Sequence, residues 1–309
     1  MSAQRKALIE HMTLRGLSPK TIEAYVHWMS RLDRFAGKRV HKVTRKDVRA
    51  FLVHLITEKR LAYSSINQAR WAIQYFFTHI VKRKWVTAEL PPMKKGFSLP
   101  VVLGPHEIAR IIECLSNPRS RMLVATAYAA GLRVSEVVSL RVQDIQAERK
   151  MLFIKSAKGK KDRYVPLSPR LLEELRSYYR TCLSWQGKGN ETPWLFPSPK
   201  DPQKHIDPAT AQRAFKKARA AAVVHREAGF HCLRHSYATH SLELGVDIKT
   251  LQQRLGHRYL QSTLIYLHVA RVPFRELLSP YDSLPKKGSK ENPEDRSQTD
   301  KKEAQDRQE

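Results

Sequence analysis

Residues 88–104 interrupt the chain, and this interruption constrains the fold more than any other feature of the sequence. The segment contains Pro91, Pro92 and Pro100, together with glycine. Proline removes a backbone donor and clashes with the preceding helical turn, so the segment favours neither a helix nor a strand interior. We therefore expect a linker at 89–104 with a folded domain on each side, for which 309 residues are long enough.

The first part, residues 1–88, has the apolar periodicity of short amphipathic helices. Ser18 followed by proline is typical of a helix start, and Gly37 is typical of a helix end. A small helical domain is therefore expected. Its helices are predicted near residues 5–15 and from Ser18, Thr44 and Ser65.

The second part, residues 105–283, combines helical periodicity with two short apolar runs. The runs at 151–155 and 163–167 are separated by a charged segment with glycine, a pattern that predicts an antiparallel hairpin. We expect a mainly α fold with a small β-sheet, an α+β domain. Its helices are predicted at 105–116, 119–130, 134–140, 169–184, 208–222, 231–244, 247–255 and 260–267.

The last stretch, residues 284–309, is charged and almost free of apolar side chains. It holds 7 basic and 7 acidic residues, and after Leu284 its one aliphatic side chain is Ala304. Such a composition buries too little apolar surface to offset the entropy of ordering, so a disordered tail is predicted.

The chain carries 56 Lys and Arg side chains against 29 Asp and Glu, a formal net charge of +27. Residues 1–100 alone hold 20 basic and 6 acidic side chains. A surplus of this size favours a polyanionic partner such as nucleic acid; the alternative is a generally basic protein, such as a ribosome-associated factor. Seven basic side chains of the first part are expected on exposed faces that contact a phosphate backbone: Arg45, Lys46, Arg49, Arg70, Lys82, Arg83 and Lys84.

The cysteines indicate the compartment. There are 3, far apart in sequence, which argues for a reducing environment and against disulfides. Cys232 adjoins His231, but no second Cys/His pair has ligand spacing, so no metal is expected. The N-terminus has no apolar leader and no stretch approaches ~18 apolar residues, so we expect a cytoplasmic protein without membrane contact.

Six polar residues of the second part lie in short strings that packing alone does not explain. Five are cationic or imidazole donors and one is a phenol, the set that attack on a phosphodiester without a metal needs. They are Arg133 in AGLRVSE, Lys158 in AKGKKDR, His231 and Arg234 in HCLRHSYATH, His257 in LGH, and Tyr266 nine residues further on.

These strings and their spacing resemble the tyrosine recombinase (phage integrase) family over nearly the whole chain. The resemblance implies a helical, SAM-like core-binding domain at 1–88 and an α+β catalytic domain at 105–283, which close around DNA. It also implies that Tyr266 attacks one strand and forms a 3′-phosphotyrosyl bond, with no metal, ATP or other cofactor. The size, and the lack of a long insertion between residues 190 and 230, favour an Xer-like recombinase or a simple mobile-element integrase.

The resemblance assigns Arg133 and Arg234 to the non-bridging oxygens of the phosphate. Arginine stays charged, and its planar fork donates two hydrogen bonds to such oxygens. Lys158 is the implied general acid for the departing 5′ oxygen, and the neighbouring Lys160 and Lys161 are expected to contact DNA.

The same resemblance makes His231 the candidate base or acid and His257 an additional donor. Histidine titrates near neutrality, so either imidazole can also accept the proton of Tyr266. His235 and His240, in the predicted helix of His231, are interpreted as structural.

The implied partners are double-stranded DNA and, because exchange between two duplexes uses four active sites, a homotetramer in the synaptic complex. An accessory DNA-bending or directionality protein is a further candidate partner. Two alternatives are a type IB topoisomerase-like relaxation of DNA and a catalytically inactive DNA-binding relative. The complete residue set argues against the inactive relative.

Overall fold

The structure is a computed structural model in which the chain divides into two compact units, Met1–Ser98 and Leu99–Glu309. The predicted tail at 284–309, the tip of the predicted hairpin and much of the predicted linker lie outside the described residues. The structure describes residues 3–83, 99–155, 162–183, 192–224 and 227–271.

Four α-helices form the described part of the first unit: α1 (Ala3–Leu14), α2 (Pro19–Ala36), α3 (Arg45–Thr57) and α4 (Tyr63–Tyr75). The side chain of Ser18 accepts a hydrogen bond from the backbone N–H of Thr21, and Gly37 ends α2 with φ of 63°. Thr44 and Asp47 form a capping box at the start of α3. The predicted starts at Ser18 and Thr44 are therefore confirmed.

The helix α4 begins before the predicted start at Ser65. Its first residue is Tyr63, and the backbone N–H of Ser65 already donates to the carbonyl of Ala62 at 2.9 Å. Ser65 therefore lies inside the first turn and is not the N-cap. At its other end the helix continues as a wider turn, Phe76–Ile80, whose two phenylalanines are buried in the core.

One basic side chain expected on an exposed face is buried. Arg70 is 5% exposed, and its guanidinium lies 4.7 Å from the ring centre of Trp71. The expectation is wrong because Arg70 shares one face of α4 with the buried Ile66 and Ile73, at helical spacing. The basic side chains of α3 are exposed as expected: Arg45, Lys46 and Arg49.

The second unit is mainly helical with a small sheet, as predicted. Its described helices are α5 (Pro105–Glu113), α6 (Pro118–Ala129), α7 (Val134–Val138), α8 (Pro169–Tyr178), α9 (Pro208–Ala221), α10 (Cys232–Glu243), α11 (Ile248–Leu255) and α12 (Gln261–Leu264). Its described strands are β1 (Ile145–Gln146), β2 (Met151–Ile154) and β3 (Arg163–Pro166). None of the helices within the described ranges is long and apolar enough to cross a bilayer.

The three strands pair antiparallel in the order β1-β2-β3. Leu152 is opposite Ile145 on one side and Val165 on the other. Leu152, Ile154 and Val165 are buried, which anchors the sheet in the core. The two predicted runs form β2 and β3. The strand β1 escaped prediction because two residues are too few to show an alternation.

The helix α6 is the centre of the second unit. Its residues from Met122 to Ala127 are all buried, and the helix packs against α8, α9 and α10. The last part of the predicted linker packs into the core of the second unit. Leu103 is fully buried, and its N–H donates to the hydroxyl of Ser236 in α10 at 2.8 Å. Residues 99–104 therefore belong to the second unit.

Arg83 is expected to stabilise the first unit, in contrast to its predicted place on an exposed face. Its guanidinium donates to the carbonyl oxygens of Val43 at 2.8 Å and His41 at 3.1 Å. Arg83→Met removes both bonds, so urea unfolding of the full chain is expected to show a loss of about 1–3 kcal/mol. The exposed Arg49→Met is the matched control, expected within about 0.5 kcal/mol of wild type. Equal losses in the two variants would contradict this role.

Candidate active site

The carboxylate of Glu136 lies at the centre of a cluster of arginines. It accepts hydrogen bonds from the backbone N–H of Arg133 at 2.9 Å and from the Arg133 guanidinium at 2.7 Å. The guanidinium of Arg163, from β3, donates to the two carboxylate oxygens at 2.9 and 3.1 Å. Nη1 of Arg234, from α10, lies 3.7 Å from the carboxylate. One side chain therefore fixes arginines from three separate elements.

The buried Glu136 stays ionised because of these arginines. Burial alone raises the pKa of a carboxyl group, but the hydrogen bonds and charges of Arg163 and Arg133 outweigh it and hold the pKa of Glu136 at about 2. A buried charge that loses its partner is strongly destabilising, so the members of the cluster depend on one another. Three guanidinium groups around one carboxylate leave a positive surplus, which suits a phosphate.

The turn that leads to Arg133 requires glycine. Gly131 has φ of +62°, and a Cβ added to it would lie 2.3 Å from the ring of Tyr237. Arg133 follows as the N-cap residue of α7. Its side chain is 23% exposed, whereas that of Arg163 is 8% exposed, so Arg133 is open to a ligand.

Arg234 is almost completely buried, at 1% exposed. It donates to the carbonyl of Gly131 at 2.9 Å and to the carbonyl of Leu255 at the end of α11. Burial first, and the charge of Arg133 second, lower the pKa of Arg234 to about 10, so the guanidinium is protonated at neutral pH. Arg234 thus joins the turn after α6 to the end of α11.

Arg163 links β3 to the C-terminal end of α11, which Arg234 also contacts. Its Nε donates to the carbonyl of Arg254 at 2.8 Å. A Cβ on Gly256, which has φ of +61°, would lie 3.1 Å from Cδ of Arg163. His257 is the next residue, so Arg163 helps to set the backbone from which His257 projects.

The rings of His257 and Tyr266 lie nearly parallel, with an angle of 13° and centroids 6.4 Å apart. Nδ1 of His257 is hydrogen-bonded to the hydroxyl of the buried Thr263 at 2.9 Å. Burial, followed by the charges of Arg234 and Arg133, lowers the pKa of His257 to about 3. His257 is therefore a neutral ring at neutral pH.

Tyr266 lies beyond α12, so the helix predicted at 260–267 is too long. The backbone N–H of Tyr266 donates to the carbonyl three residues back, at 3.1 Å, which replaces the helical pattern by a tighter turn. The side chain is 2% exposed and packs with Leu251 and Leu255 of α11. Burial raises the pKa of Tyr266, and the charges of Arg234 and Arg133 oppose that rise.

The hydroxyl of Tyr266 is hydrogen-bonded to Nδ1 of His235 at 3.0 Å. The ring of His235 packs edge-on against that of His231, with centroids 4.5 Å apart. Burial, then His231 and Arg234, lower the pKa of His235 to about 4. Burial, then Arg234 and Arg133, also lower the pKa of His231. Both imidazoles are therefore mainly neutral at neutral pH.

The structure brings five of the six candidate catalytic residues into this one site: Arg133, His231, Arg234, His257 and Tyr266. The sixth, Lys158, lies outside the described residues, as do Lys160 and Lys161. Three further side chains contact these residues: Glu136 and Arg163, which were not among the candidates, and His235, which was interpreted as structural. The Arg-x-x-Glu spacing at a helix start was an available signal for Glu136.

Metal ligands are not grouped in the part of the chain that the structure describes. No three His, Cys, Asp and Glu side chains there are arranged to hold a metal ion. Cys232, beside His231, is buried in the core, and burial raises the pKa of its thiol to about 12. The thiol is therefore protonated at neutral pH, which makes it a poor metal ligand.

The match to known families covers both units. The model of the phage integrase family matches residues 102–272, and the model of the phage integrase N-terminal SAM-like domain matches residues 5–87. The chain belongs to the phage integrase family, which is the tyrosine recombinase family.

Individual relatives agree with this membership. Tyrosine recombinase XerA of Pyrococcus horikoshii is 32% identical over 278 residues, which cover 87% of this chain and 90% of the relative. An integrase/recombinase of Escherichia coli is 32% identical over 315 residues, covering 90% and 93%. The crystal structure of a lambda integrase tetramer bound to a Holliday junction has the same fold, with a TM-score of 0.70 and 19% identity over 90% of this chain and 79% of that one.

Glu136→Gln tests the arginine cluster. The folded-state pKa of Glu136, about 2, lies below its ordinary value of 4.5, so the carboxylate stabilises the fold above about pH 4.5 and loses this effect as pH falls towards 2. The variant should lose about 3–5 kcal/mol at pH 7, because it leaves buried guanidinium groups without a counter-charge. Its unfolding free energy should also vary less between pH 4.5 and 2 than that of wild type.

The control for this variant is Glu173→Gln, since Glu173 forms an exposed pair with Arg176. That pair should contribute at most about 1 kcal/mol. Urea unfolding at several pH values measures both variants. A Glu136→Gln protein as stable at pH 7 as the control would show that the cluster does not hold the fold.

Gly131→Ala tests the turn that positions Arg133. Alanine at residue 131 would have to adopt a strained positive φ, and its Cβ would clash with the ring of Tyr237. Gly245→Ala is the matched control, because Gly245 has φ of +86° with nothing within 4 Å of an added Cβ. Gly131→Ala should therefore lose about 1–3 kcal/mol more than the control in urea unfolding, the usual cost of overpacking. Equal losses would mean that backbone strain alone matters.

Proposed function

We propose that this chain is a site-specific tyrosine recombinase that cuts and rejoins DNA through a 3′-phosphotyrosyl intermediate on Tyr266. The observation that carries the proposal is the placement of the Tyr266 phenol in one site with Arg133 and Arg234. Membership of the phage integrase family supports the same chemistry. We further propose that the reaction is of the type carried out by Xer-like recombinases or by the integrases of mobile elements.

The two arginines act on the phosphate. Arg133, the more exposed, binds a non-bridging oxygen directly, and the buried Arg234 adds positive charge to the same site. Negative charge develops on these oxygens as the tyrosine attacks, so donors fixed in advance lower the barrier. Loss of one such donor typically costs roughly 3–4 kcal/mol of barrier. Glu136 fixes the position of Arg133, because its carboxylate accepts a 2.7 Å hydrogen bond from the Arg133 guanidinium.

Proton transfers complete the reaction. His231 is the proposed acid or base, and His257 donates a further hydrogen bond to the phosphate. Lys158 is the proposed general acid that protonates the departing 5′ oxygen. The energy of the broken phosphodiester is kept in the phosphotyrosyl bond, so we propose that neither ATP nor a metal ion is used.

The partner is double-stranded DNA. In the first unit, Arg45, Lys46 and Arg49 are exposed together on α3, where they can contact the phosphate backbone. Lys160 and Lys161 are the proposed contacts of the second unit. We propose that residues 1–88 bind DNA and that residues 105–283 catalyse, in the cytoplasm.

Strand exchange between two duplexes uses four active sites, so the working form is a homotetramer on DNA. The fold shared with lambda integrase, whose tetramer is bound to a Holliday junction, supports this proposal. An accessory DNA-bending or directionality protein is a further proposed partner.

Covalent trapping tests the proposed function. The substrate is a nicked duplex that carries the DNA flanking the gene. After cleavage the short fragment with the free 5′ hydroxyl diffuses away, so the strand cannot be rejoined and the protein stays attached to the DNA. Wild type should give a slowly migrating protein–DNA band on a denaturing gel, with EDTA present or absent, because no metal takes part. Tyr266→Phe should give none, since the nucleophilic oxygen is missing.

Tyr259→Phe is the matched control, because Tyr259 is close in sequence and 62% exposed. This variant should trap DNA like wild type. A band for Tyr266→Phe would overturn the assignment of the nucleophile. Intact DNA binding with no band for wild type would point to a catalytically inactive relative, and relaxation of a plasmid without the site would favour a topoisomerase.

A further inference from the structure

The helix α10 forms two histidine–tyrosine hydrogen bonds with different surroundings. One joins Nδ1 of His235 to the hydroxyl of Tyr266 at 3.0 Å. The other joins Nδ1 of His240 to the hydroxyl of Tyr128, on α6, at 2.9 Å. The first pair contains the proposed nucleophile, whereas the second contains no residue proposed to act on DNA. The same contact in two settings allows a matched comparison.

We propose that His235 accepts the proton of the Tyr266 hydroxyl as this oxygen attacks the phosphate, and returns it when the strand is rejoined. This proposal rests on the proposed function and deepens it. It assigns acceptance of the Tyr266 proton to His235 and replaces His231 in that one step. His235 touches the reacting oxygen and is therefore a catalytic residue in this assignment.

Distance supports this assignment over the other two histidines of the site. A general base acts within about 2.6–3.2 Å of the proton-bearing atom, and the 3.0 Å contact of His235 meets this requirement. His257 engages its Nδ1 with Thr263, and its ring lies alongside that of Tyr266, with centroids 6.4 Å apart. His231 packs edge-on against His235, with ring centroids 4.5 Å apart. Its ring therefore helps to hold the ring of His235 in place.

Burial and the neighbouring charges keep His235 neutral, and a neutral imidazole can accept a proton. Burial, then His231 and Arg234, lower its pKa to about 4, so the ring is neutral at neutral pH. In the tautomer with the proton on Nε2, Nδ1 is an acceptor. The arginines that disfavour an imidazolium also favour a phenolate, because their charges oppose the rise in the pKa of Tyr266. The charged and titratable groups that act on His235 and Tyr266 are His231, Arg234 and Arg133, and the ring of His257 lies parallel to that of Tyr266.

The step balances with the groups already named. The O–H bond of Tyr266 breaks, its proton moves to Nδ1 of His235, and the phenolic oxygen forms the bond to phosphorus. The bond from phosphorus to the 5′ oxygen breaks, and that oxygen takes a proton from the proposed acid, Lys158. Rejoining runs the same steps backwards. The proton moves as the bond to phosphorus forms, so a free phenolate is not required.

His235→Asn separates proton acceptance from positioning. An asparagine oxygen can still accept the hydrogen bond of Tyr266 but cannot take up its proton. His240→Asn makes the same change at the second pair. The measurement is the single-turnover rate of covalent trapping by the full chain on the nicked duplex, between about pH 6 and 9.

Wild type should show a rate that changes little over this range, because His235 is already neutral. His235→Asn should be slower by at least about 100-fold at pH 7 and should gain roughly tenfold per pH unit as spontaneous ionisation of the phenol replaces the base. His240→Asn should stay within about threefold of wild type with the same flat profile. Thermal unfolding and DNA binding of both variants confirm that they are folded.

A His235→Asn rate close to wild type with a flat profile would overturn the assignment, as would an equal loss in His240→Asn. If His235→Asn does not fold, the ¹⁵N chemical shift of His235 in wild type decides: an unprotonated Nδ1 supports the assignment, and a protonated Nδ1 overturns it. Failure of the proposed function has a different signature, since wild type itself would then form no adduct.

Discussion

The buried carboxylate of Glu136 is the interaction on which the rest of the site depends. It receives hydrogen bonds from Arg133 and Arg163 and lies 3.7 Å from Arg234. These arginines come from the start of α7, from β3 and from α10, so one charge aligns three elements that are distant in sequence. Because the carboxylate is ionised and nearly inaccessible to water, its removal leaves buried guanidinium groups without a counter-charge. The arginines proposed to bind the phosphate are therefore positioned by the fold before a ligand arrives.

Burial and the arginine cluster together affect the protonation of the neighbouring side chains. Burial first, and the surplus of positive charge second, lower the pKa values of His231, His235 and His257 and keep these rings neutral. The same charges partly offset the rise that burial causes in the pKa of Tyr266. A neutral imidazole can accept a proton, and a phenol beside arginines ionises more readily than one in an apolar core. The arrangement suits a reaction in which a tyrosine loses its proton while a phosphate gains negative charge.

Local sequence signals predicted much of the fold. They failed where contacts between residues distant in sequence determine whether a side chain is buried. Caps at Ser18 and Thr44 and the apolar runs of β2 and β3 were visible because they depend on a few neighbouring residues. The burial of Arg70 was not foreseen, because a charge is an unusual member of an apolar helical face.

The candidate site divides in the same way. The resemblance supplied Arg133, His231, Arg234, His257 and Tyr266 as a set, whereas the roles of Arg163 and His235 arise from contacts 27 and 31 residues away in sequence. The most direct measurement is mass spectrometry of the trypsin-digested protein–DNA adduct. The tryptic peptide 259–271 contains both Tyr259 and Tyr266, and its fragment ions separate them. The nucleotide phosphate is predicted on Tyr266; its presence on Tyr259, or on a peptide elsewhere in the chain, would contradict the account.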